Sequence, residues 1–236
     1  ITDSAGYVTI HGSSGAATFM PMLCGAYRCT MSNSSRAADV TPVYFFEFYS
    51  NVSCFIRGCD IAGVTTNNAV YFKEGRVYSF KFIANICDTS LCHTDYDWLF
   101  LNATPGVQVL HNLFFGDNNR RTVRAYTGAT GTVIVGNVFY ATDEAIDVDA
   151  ASQAGTLSDR NVFYTMGTRV GRWGGTTYAN LGLWQAASSQ DANSINSSPE
   201  FTDYAGGDYR PDTGSPLIGM GSFSGIGNDS LGNVYK

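Results

Sequence analysis

The sequence predicts an all-β protein: a parallel β-solenoid of about six coils, followed by an irregular C-terminal closing segment. A short pattern centred on an asparagine recurs at spacings of 27, 25 and 24 residues. Each period also holds two short apolar runs that are bounded by Gly, Asn, Asp and Ser. Runs of this length, rich in aromatic and β-branched residues, are typical of strands. Two or three strands per period describe one coil of a stack.

Composition narrows the class of protein further. The chain has 236 residues, enough for one sizeable core. Its 15 Phe, 14 Tyr and 3 Trp exclude intrinsic disorder. No apolar stretch approaches about 18 residues, which excludes a membrane-spanning helix. A net charge of -6 argues against nucleic acid as the main partner.

The repeat pattern predicts a ladder of asparagines inside the stack. The residues three before and two after each register position are apolar, so the polar position lies between two interior columns. Stacked asparagines can satisfy one another from coil to coil, and asparagine tolerates the left-handed backbone of a sharp bend. Surface turns are the alternative. Upstream, the same frame places Gly58 at the asparagine position and Phe55 in the column of Phe82. The predicted ladder is Asn85, Asn112, Asn137 and Asn161.

Six cysteines occur in three pairs of identical spacing: Cys24/Cys29, Cys54/Cys59 and Cys87/Cys92. An even number in a chain rich in Ser, Thr and Asn suits an oxidising compartment, with an intracellular thiol protein as the alternative. Stacked columns bring Cα atoms about 4.8 Å apart, within the range for a disulfide. The repeat frame therefore predicts the disulfides Cys24–Cys54 and Cys29–Cys59, and leaves Cys87–Cys92. Three local links, one within each pair, are the rival pairing.

The asparagine column, the period and the short strands together resemble the right-handed parallel β-helix of the pectate-lyase type. The tail resembles the C-terminal closing segment of secreted bacterial and viral β-helix proteins. This resemblance covers roughly residues 40 to 222. It implies one domain, with β-helix coils over 1–164 and a closing segment packed on them over 165–236. The segments that carry the tail resemblance are 178–185, 191–194, 198–201, 208–211 and 214–219.

Enzymes of this fold imply two kinds of active site. Polysaccharide lyases abstract a proton with Arg, Lys or His, often beside calcium held by acids, and hydrolases use two or three carboxylates. The favoured interpretation of the carboxylates here is a solvated face paired with arginines, and of the histidine a turn, with a sugar or calcium site as the alternative for the carboxylates. With only three lysines no complete lyase set is present, so catalysis is left open. The candidates are Asp143, Glu144, Asp147 and Asp149, with Arg120, Arg121 and Arg124 one coil away, and His111.

The favoured function is a secreted, disulfide-stapled β-helix module with a structural, adhesive or assembly role. It is expected outside the cell or on a cell or virion surface, in contact with glycans through aromatic columns that include Tyr44, Tyr71, Tyr78 and Tyr140. Residues 7–11 offer no capping helix, so other subunits or upstream sequence are expected at the N-terminal end. The alternative is a carbohydrate-active enzyme, either a lyase or a glycosidase, or a phage-spike-like polysaccharide-binding protein. No cofactor or metal is expected, with calcium left open.

Glycosylation is a further expectation for a secreted chain of this composition. Sequons of the form N-x-S/T predict acceptor sites on surface loops, although they also arise by chance in chains rich in these residues. The five sequons begin at Asn33, Asn51, Asn102, Asn196 and Asn228.

Overall fold

The computed structural model shows a parallel β-solenoid, which confirms the predicted fold class. Strands from successive coils pair in parallel and stack into three long sheets, with little helix. The residues that the structure describes are 8–10, 22–27, 30–33, 46–48, 52–63, 70–72, 80–89, 97–116, 121–164, 166–167 and 169–220.

Three sheets, here named A, B and C, form the sides of the stack. The strands of sheet A are β1 (Val8–Ile10), β4 (Phe46–Phe48), β7 (Val70–Phe72), β10 (Leu99–Asn102), β13 (Arg121–Tyr126), β16 (Glu144–Val148), β19 (Gly171–Trp173) and β20 (Thr176–Tyr178). Those of sheet B are β2 (Met22–Tyr27), β5 (Val52–Arg57), β8 (Phe80–Ile83), β11 (Gln108–Leu110), β14 (Val133–Val135) and β17 (Leu157–Asp159). Those of sheet C are β3 (Thr30–Asn33), β6 (Asp60–Gly63), β9 (Ile86–Asp88), β12 (Leu113–Phe115), β15 (Val138–Tyr140) and β18 (Val162–Tyr164).

The core is a set of columns in which one coil repeats the apolar residue of the next. Ile56, Phe82, Val109 and Ile134 are register partners and are fully buried. In sheet C the rings of Phe114, Phe139 and Phe163 stack at 5.4 Å, within 9° of parallel. Fully burying each such side chain contributes about 1.5–3 kcal/mol, so the columns hold successive coils in register.

The predicted frame of the early coils is wrong by one residue. Arg57 pairs with Ile83 and Asp60 with Ile86, so Cys59, not Gly58, lies opposite Asn85. The backbone N–H of Cys59 accordingly donates to Asn85 Oδ1 at 3.0 Å.

The same one-residue shift moves two neighbouring assignments. Phe55 pairs with Lys81, and Ile56 takes the interior place expected for Phe55. Arg57, which the frame aligned with His111, instead pairs with Ile83.

The reason for the shift is the bend between sheets B and C. In each coil from Gly58 onward, the residue just before the ladder position has a left-handed backbone, and the ladder residue itself does not. Glycine reaches this region without steric cost, whereas other residues incur about 1–2 kcal/mol. Gly58 therefore marks the bend and not the asparagine column. The residues at this position are Gly58, Ala84, His111, Gly136 and Arg160, with φ between 53° and 69°.

The cysteine predictions fall partly on described residues. Cys24 and Cys54 lie directly opposite each other in the register of β2 and β5. Cys59 and Cys87 are buried, and Cys87 pairs with Ile61 rather than with the column of Cys59. Cys29 and Cys92 lie outside the described residues. The disulfide pairing therefore stays a prediction.

The C-terminal end of the stack is closed by a hairpin and a helix. Sheet A continues past residue 164 through β19, and β20 turns back antiparallel to it. Helix α1 (Leu181–Ser188) then begins after Asn180, whose side chain accepts from Leu183 N–H as an N-cap. Trp184 on α1 is fully buried and meets the ring of Trp173 edge-on at 5.8 Å.

A final hairpin, β21 (Phe201–Asp203) and β22 (Asp208–Pro211), forms a separate two-stranded sheet. Together with Leu217 and Met220 it packs against the outer face of sheet C.

Candidate functional site

Four asparagines form a continuous hydrogen-bonded ladder at the bend between sheets B and C. Asn85, Asn112, Asn137 and Asn161 are all fully buried. Each Oδ1 from Asn112 onward accepts the backbone N–H and the Nδ2 of the rung one coil earlier, at 2.9–3.2 Å. Each Nδ2 also donates to a backbone carbonyl of the preceding coil, at 2.9–3.1 Å. The amide groups are thereby satisfied without water.

The ladder ends in a buried carboxylate. Asn161 Nδ2 donates to Asp191 Oδ1 at 2.8 Å, and its backbone N–H donates to Ser194 Oγ at 2.8 Å. Trp184 Nε1 donates to the other oxygen of Asp191, also at 2.8 Å. Burial raises the pKa of Asp191, although these hydrogen bonds act to lower it. An ionised carboxylate only accepts, so the chain of donors stops there. Sequence reasoning gave Asp191 no role.

A second polar cluster lies on the outer face of sheet A, and we call it the outer network. Arg121 and Arg124 on β13 stand opposite Glu144 and Asp147 on β16. Val123 directly precedes Arg124 on β13 and belongs to the core, and so does its register partner Ile146. Because successive side chains alternate across a strand, Arg124 and Asp147 face outward. The network consists of Asp97, Arg121, Arg124, Asp143, Glu144, Asp147 and Arg169.

Each arginine of the outer network joins two carboxylates. Arg124 contacts Asp97 at 3.0 Å and Asp147 at 3.3 Å. Arg121 hydrogen-bonds Asp97 through Nε and contacts Asp147 at 3.3 Å through Nη1. Asp97 and Asp147 are thus each held between two guanidinium groups from the neighbouring coil.

The third arginine connects the network to the start of the closing segment. Arg169 contacts Asp143 at 3.1 Å and Glu144 at 3.2 Å. It therefore ties the chain just before β19 to the beginning of β16.

The outer network is buried, which corrects the expectation of a solvated charged face. Asp97, Glu144 and Asp147 are each only 3% exposed. Outward-facing residues are buried here because the arginine side chains lie over the carboxylates. All five residues of β16 are buried, including the acidic Glu144 and Asp147.

Burial shapes the electrostatics of the network. It raises the pKa of Glu144 to about 7, assisted by the charge of Asp147 and opposed by Arg169 and Arg121. Burial also raises the pKa of Asp147, against the effect of Arg121 and Arg124. For Arg121 burial acts to lower the pKa, but the carboxylates of Asp97 and Asp147 outweigh it and the pKa is raised.

Glu144 has the chemical capacity of an acid near neutral pH. Within the described part of the chain, its Oε1 atom accepts no hydrogen bond although it is buried. A carboxyl group with this pKa can carry a proton at physiological pH and release it.

Two of the predicted site residues lie elsewhere. Asp149 accepts from the backbone N–H groups of Thr127 and Ser152, both at 2.8 Å, and so caps the 3₁₀ turn at Ala150–Ser152. His111 occupies the left-handed bend before Asn112, where burial lowers its pKa. Both therefore serve turns, while Asp143, Glu144, Asp147 and Arg124 come together. Arg120 lies outside the described residues.

Sequence reasoning missed two members of the network, Asp97 and Arg169. Asp97 directly precedes the run Trp98–Leu101, which aligns with the strand that carries Arg124. A charged residue at the start of an aligned strand was the available signal for Asp97. Arg169 follows the last asparagine of the pattern, and the register of β16 and β19 places it one coil after Glu144; extending the repeat spacing beyond Asn161 was the available signal for it.

An aromatic patch formed by residues of β10 and β13 adjoins the outer network. The guanidinium of Arg124 lies 4.1 Å from the ring centroid of Tyr126 and 5.2 Å from that of Phe100. The two rings are 6.0 Å apart, and Tyr126 is 38% exposed. We call Phe100, Arg124 and Tyr126 the aromatic patch.

The tyrosines predicted to form glycan-binding columns lie in different surroundings. Tyr140 is covered by the C-terminal hairpin, where Tyr204 lies 4.4 Å from it, and so is not an open platform. Tyr71 stands opposite Phe100 in the register of β7 and β10. Tyr44 and Tyr78 lie outside the described residues.

Among the described residues, no three His, Cys, Asp or Glu side chains are arranged to hold a metal ion. No helix in the described ranges is long and apolar enough to cross a membrane. No protein-family model matches the chain, and neither a curated protein nor a solved structure matches it.

Proposed function

We propose that the chain is a secreted, disulfide-stapled β-helix module with a structural and adhesive role. The observation that supports this proposal is that the carboxylates of the outer network are buried and bound by arginines. Removing one partner of a buried ion pair costs about 3–5 kcal/mol, because a charge is left uncompensated. Such a network fastens one coil to the next and the closing segment to the stack.

The same geometry disfavours catalysis as its main role. A general acid or base must come within hydrogen-bonding reach of the substrate. Asp97 and Asp147 are each engaged by two guanidinium groups and covered by them. A substrate would have to displace these arginines before it met a carboxylate.

The adhesive part of the proposal rests on the aromatic patch. Tyr and Arg are enriched where proteins meet partners, because they combine apolar area with hydrogen-bonding groups. Glycans or other subunits are the proposed partners at this surface. Further subunits at the N-terminal end of the stack, and kinship with the pectate-lyase type, are proposals that rest on the sequence pattern alone.

The secreted part rests on the cysteines and sequons. The direct register of Cys24 and Cys54 supports a stacked disulfide, since neighbouring strands bring Cα atoms within bonding range. Asn196 is an exposed sequon residue in the closing segment, whereas Asn102 is half-buried. Mass spectrometry of native material under non-reducing conditions reports both features together.

The second candidate is a glycosidase, and one observation favours it. Glu144 combines a pKa of about 7 with an unbonded buried oxygen beside Asp147. Two carboxyl groups with different protonation states are the usual equipment for glycoside hydrolysis.

Two variants separate the candidates. The structural role predicts that Asp147→Asn lowers the free energy of unfolding while glycan binding persists. It also predicts that Tyr126→Ala weakens binding to a panel of neutral and acidic polysaccharides while stability is unchanged. The contrary result is measurable polysaccharide cleavage by the native protein that Asp147→Asn abolishes without loss of stability.

A further inference from the structure

Two tyrosines from distant parts of the chain meet where the closing segment packs on the solenoid. Tyr140 ends β15 of sheet C, and Tyr204 lies in the turn between β21 and β22. Their ring centroids are 4.4 Å apart, and their planes are inclined by 33°. Two aromatic rings with centroids this close are in van der Waals contact. The contact therefore joins a coil of the solenoid directly to the closing segment.

The other tyrosines on this face lie farther from the pair. Tyr164 is 5.4 Å from Tyr140, across the register of β15 and β18, with an angle of 51° between the ring planes. Tyr209 is 5.7 Å from Tyr204, and their ring planes are inclined by 64°. Within the described part of the chain, Tyr140 and Tyr204 are thus each other's nearest tyrosine.

Both rings of the pair are held in place and yet are within reach of solvent, because each is half-buried. Burial and the neighbouring phenols of Tyr140 and Tyr209 raise the pKa of Tyr204 to about 12. Tyr204 is therefore a neutral phenol at neutral pH. A neutral phenol that gives up an electron together with its hydroxyl proton leaves an uncharged radical, which needs no ionic solvation inside the packed face.

We propose that Tyr140 and Tyr204 form a site of oxidative cross-linking, at which a one-electron oxidant driven by hydrogen peroxide, such as a haem peroxidase, joins the two rings. Each phenol loses one electron and one proton, and the two radicals combine through the ring carbons next to the hydroxyl-bearing carbons. The hydrogen on each of these ring carbons then moves to the oxygen of its own ring, which restores both phenols. Overall, one C–C bond forms, each ring loses one hydrogen atom, and hydrogen peroxide is reduced to two molecules of water.

The cross-link fastens the closing segment to sheet C by a bond that thiol reductants do not break. In the unfolded chain it closes a loop between residues 140 and 204, which restricts the unfolded ensemble and so stabilises the fold, as a disulfide does. Holding the two rings in contact before oxidation favours their coupling over coupling between chains. The proposal depends neither on the predicted disulfides nor on the proposed glycan contacts, which lie on sheet A.

Peroxidase treatment of the full chain tests this, with hydrogen peroxide added until the exposed Tyr126 is consumed. We expect dityrosine fluorescence within single chains, at a yield per chain that is independent of protein concentration. Proteolysis and mass spectrometry should find two joined peptides that are lighter by two hydrogen atoms, and fragmentation should place the bond between Tyr140 and Tyr204. Consumption of Tyr126 without this bond, or bonds that form only between chains, would overturn the proposal.

A matched pair of variants sharpens the test. Tyr204→Phe keeps the ring and its packing but cannot form a phenoxyl radical, so it should lower the yield within single chains at least about tenfold. Tyr126→Phe removes an exposed phenol on sheet A and should leave that yield unchanged. Full yield from Tyr204→Phe, or a bond mapped to Tyr140 and Tyr164, would refute the assigned site.

The stability of the product tests the fastening role. Linked chains should unfold at a higher urea concentration than unlinked chains from the same reaction, because the bond restricts the unfolded state. An unchanged midpoint would show that the bond does not fasten the closing segment to the solenoid.

Discussion

The asparagine ladder and the outer network solve one problem, the burial of polar groups between stacked coils, in different ways. The ladder uses neutral amides that repeat identically and pass hydrogen bonds along the stack. The outer network uses opposite charges contributed by different positions on neighbouring coils. A neutral ladder propagates through any number of coils, whereas a charge network closes locally once its charges are balanced. The first suits the axis of a solenoid, and the second suits its junction with the closing segment.

The largest expected effect is on the ladder. Asn137→Ala leaves the backbone N–H of Asn112 without its acceptor and removes one of the two acceptors of Asn112 Nδ2, and Val109 O and Asn161 Oδ1 each lose a donor. Each buried unsatisfied group costs about 1–3 kcal/mol, so we expect a loss of about 4 kcal/mol or failure to fold. Urea denaturation followed by circular dichroism measures the loss. Asn193→Ala, at an exposed asparagine bonded to Asp159, is the control and should cost less than about 1 kcal/mol.

The next largest effect is on the network. Asp147→Asn keeps the shape of the side chain but leaves Arg121 and Arg124 with one carboxylate fewer. We expect a loss of about 2–3 kcal/mol, below the value for a fully buried pair because the arginines are partly exposed. A thermal melt at fixed pH and ionic strength checks this. An unchanged melting temperature would show that the network is not a clamp.

The pH dependence of stability distinguishes the charged site from the neutral one. The folded protein holds a proton on Glu144 up to about pH 7, whereas the ordinary value is 4.5. As pH rises through this window the unfolded chain loses its proton first, so the contribution of Glu144 to stability falls. Relative to Glu144→Gln, the native protein should lose about 2 kcal/mol between pH 4.5 and 7. Parallel stability curves for the two proteins would refute the raised pKa.

The smallest effect concerns a residue that lies near the network but outside it. Asp149 caps a turn, so Asp149→Ala should cost about 1 kcal/mol, as for other capping residues. The loss should be independent of changes at Asp147, because the two carboxylates have no shared partner among the described residues. Non-additive losses in the double variant would place Asp149 in the network after all.

The ladder was accessible from the sequence because one residue type recurs at one position. Where that regularity lapsed, in the coil of Gly58 and Cys59, the frame slipped by one residue. The glycine had been aligned with the asparagines, although the bend before them is what requires it. At this bend one residue must adopt a left-handed backbone, and the next residue stands in the ladder column. A single sequence does not show which of the two neighbouring residues has which role.

Only some members of the outer network could be predicted from the sequence, for a related reason. The acidic residues between Asp143 and Asp149 favour a solvated strand face, since the alternation over residues 146–149 says nothing about what covers the outer side. Arg169 follows the last asparagine of the pattern, so the repeat frame was not extended to it, although the register of β16 and β19 places it one coil after Glu144. The ladder's last partners were equally hidden, because Ser194 lies where a further asparagine would stand and Asp191 supplies the acceptor for Asn161 Nδ2.

A double-mutant cycle at Arg124 and Asp147 shows whether the outer network stabilises the fold rather than acting on a substrate. Arg124→Gln, Asp147→Asn and the double variant would be compared by chemical denaturation. We expect a coupling free energy of about 1 kcal/mol or more between the two residues, within the range for contacting pairs. A coupling indistinguishable from zero, with both single variants as stable as the native protein, would contradict it.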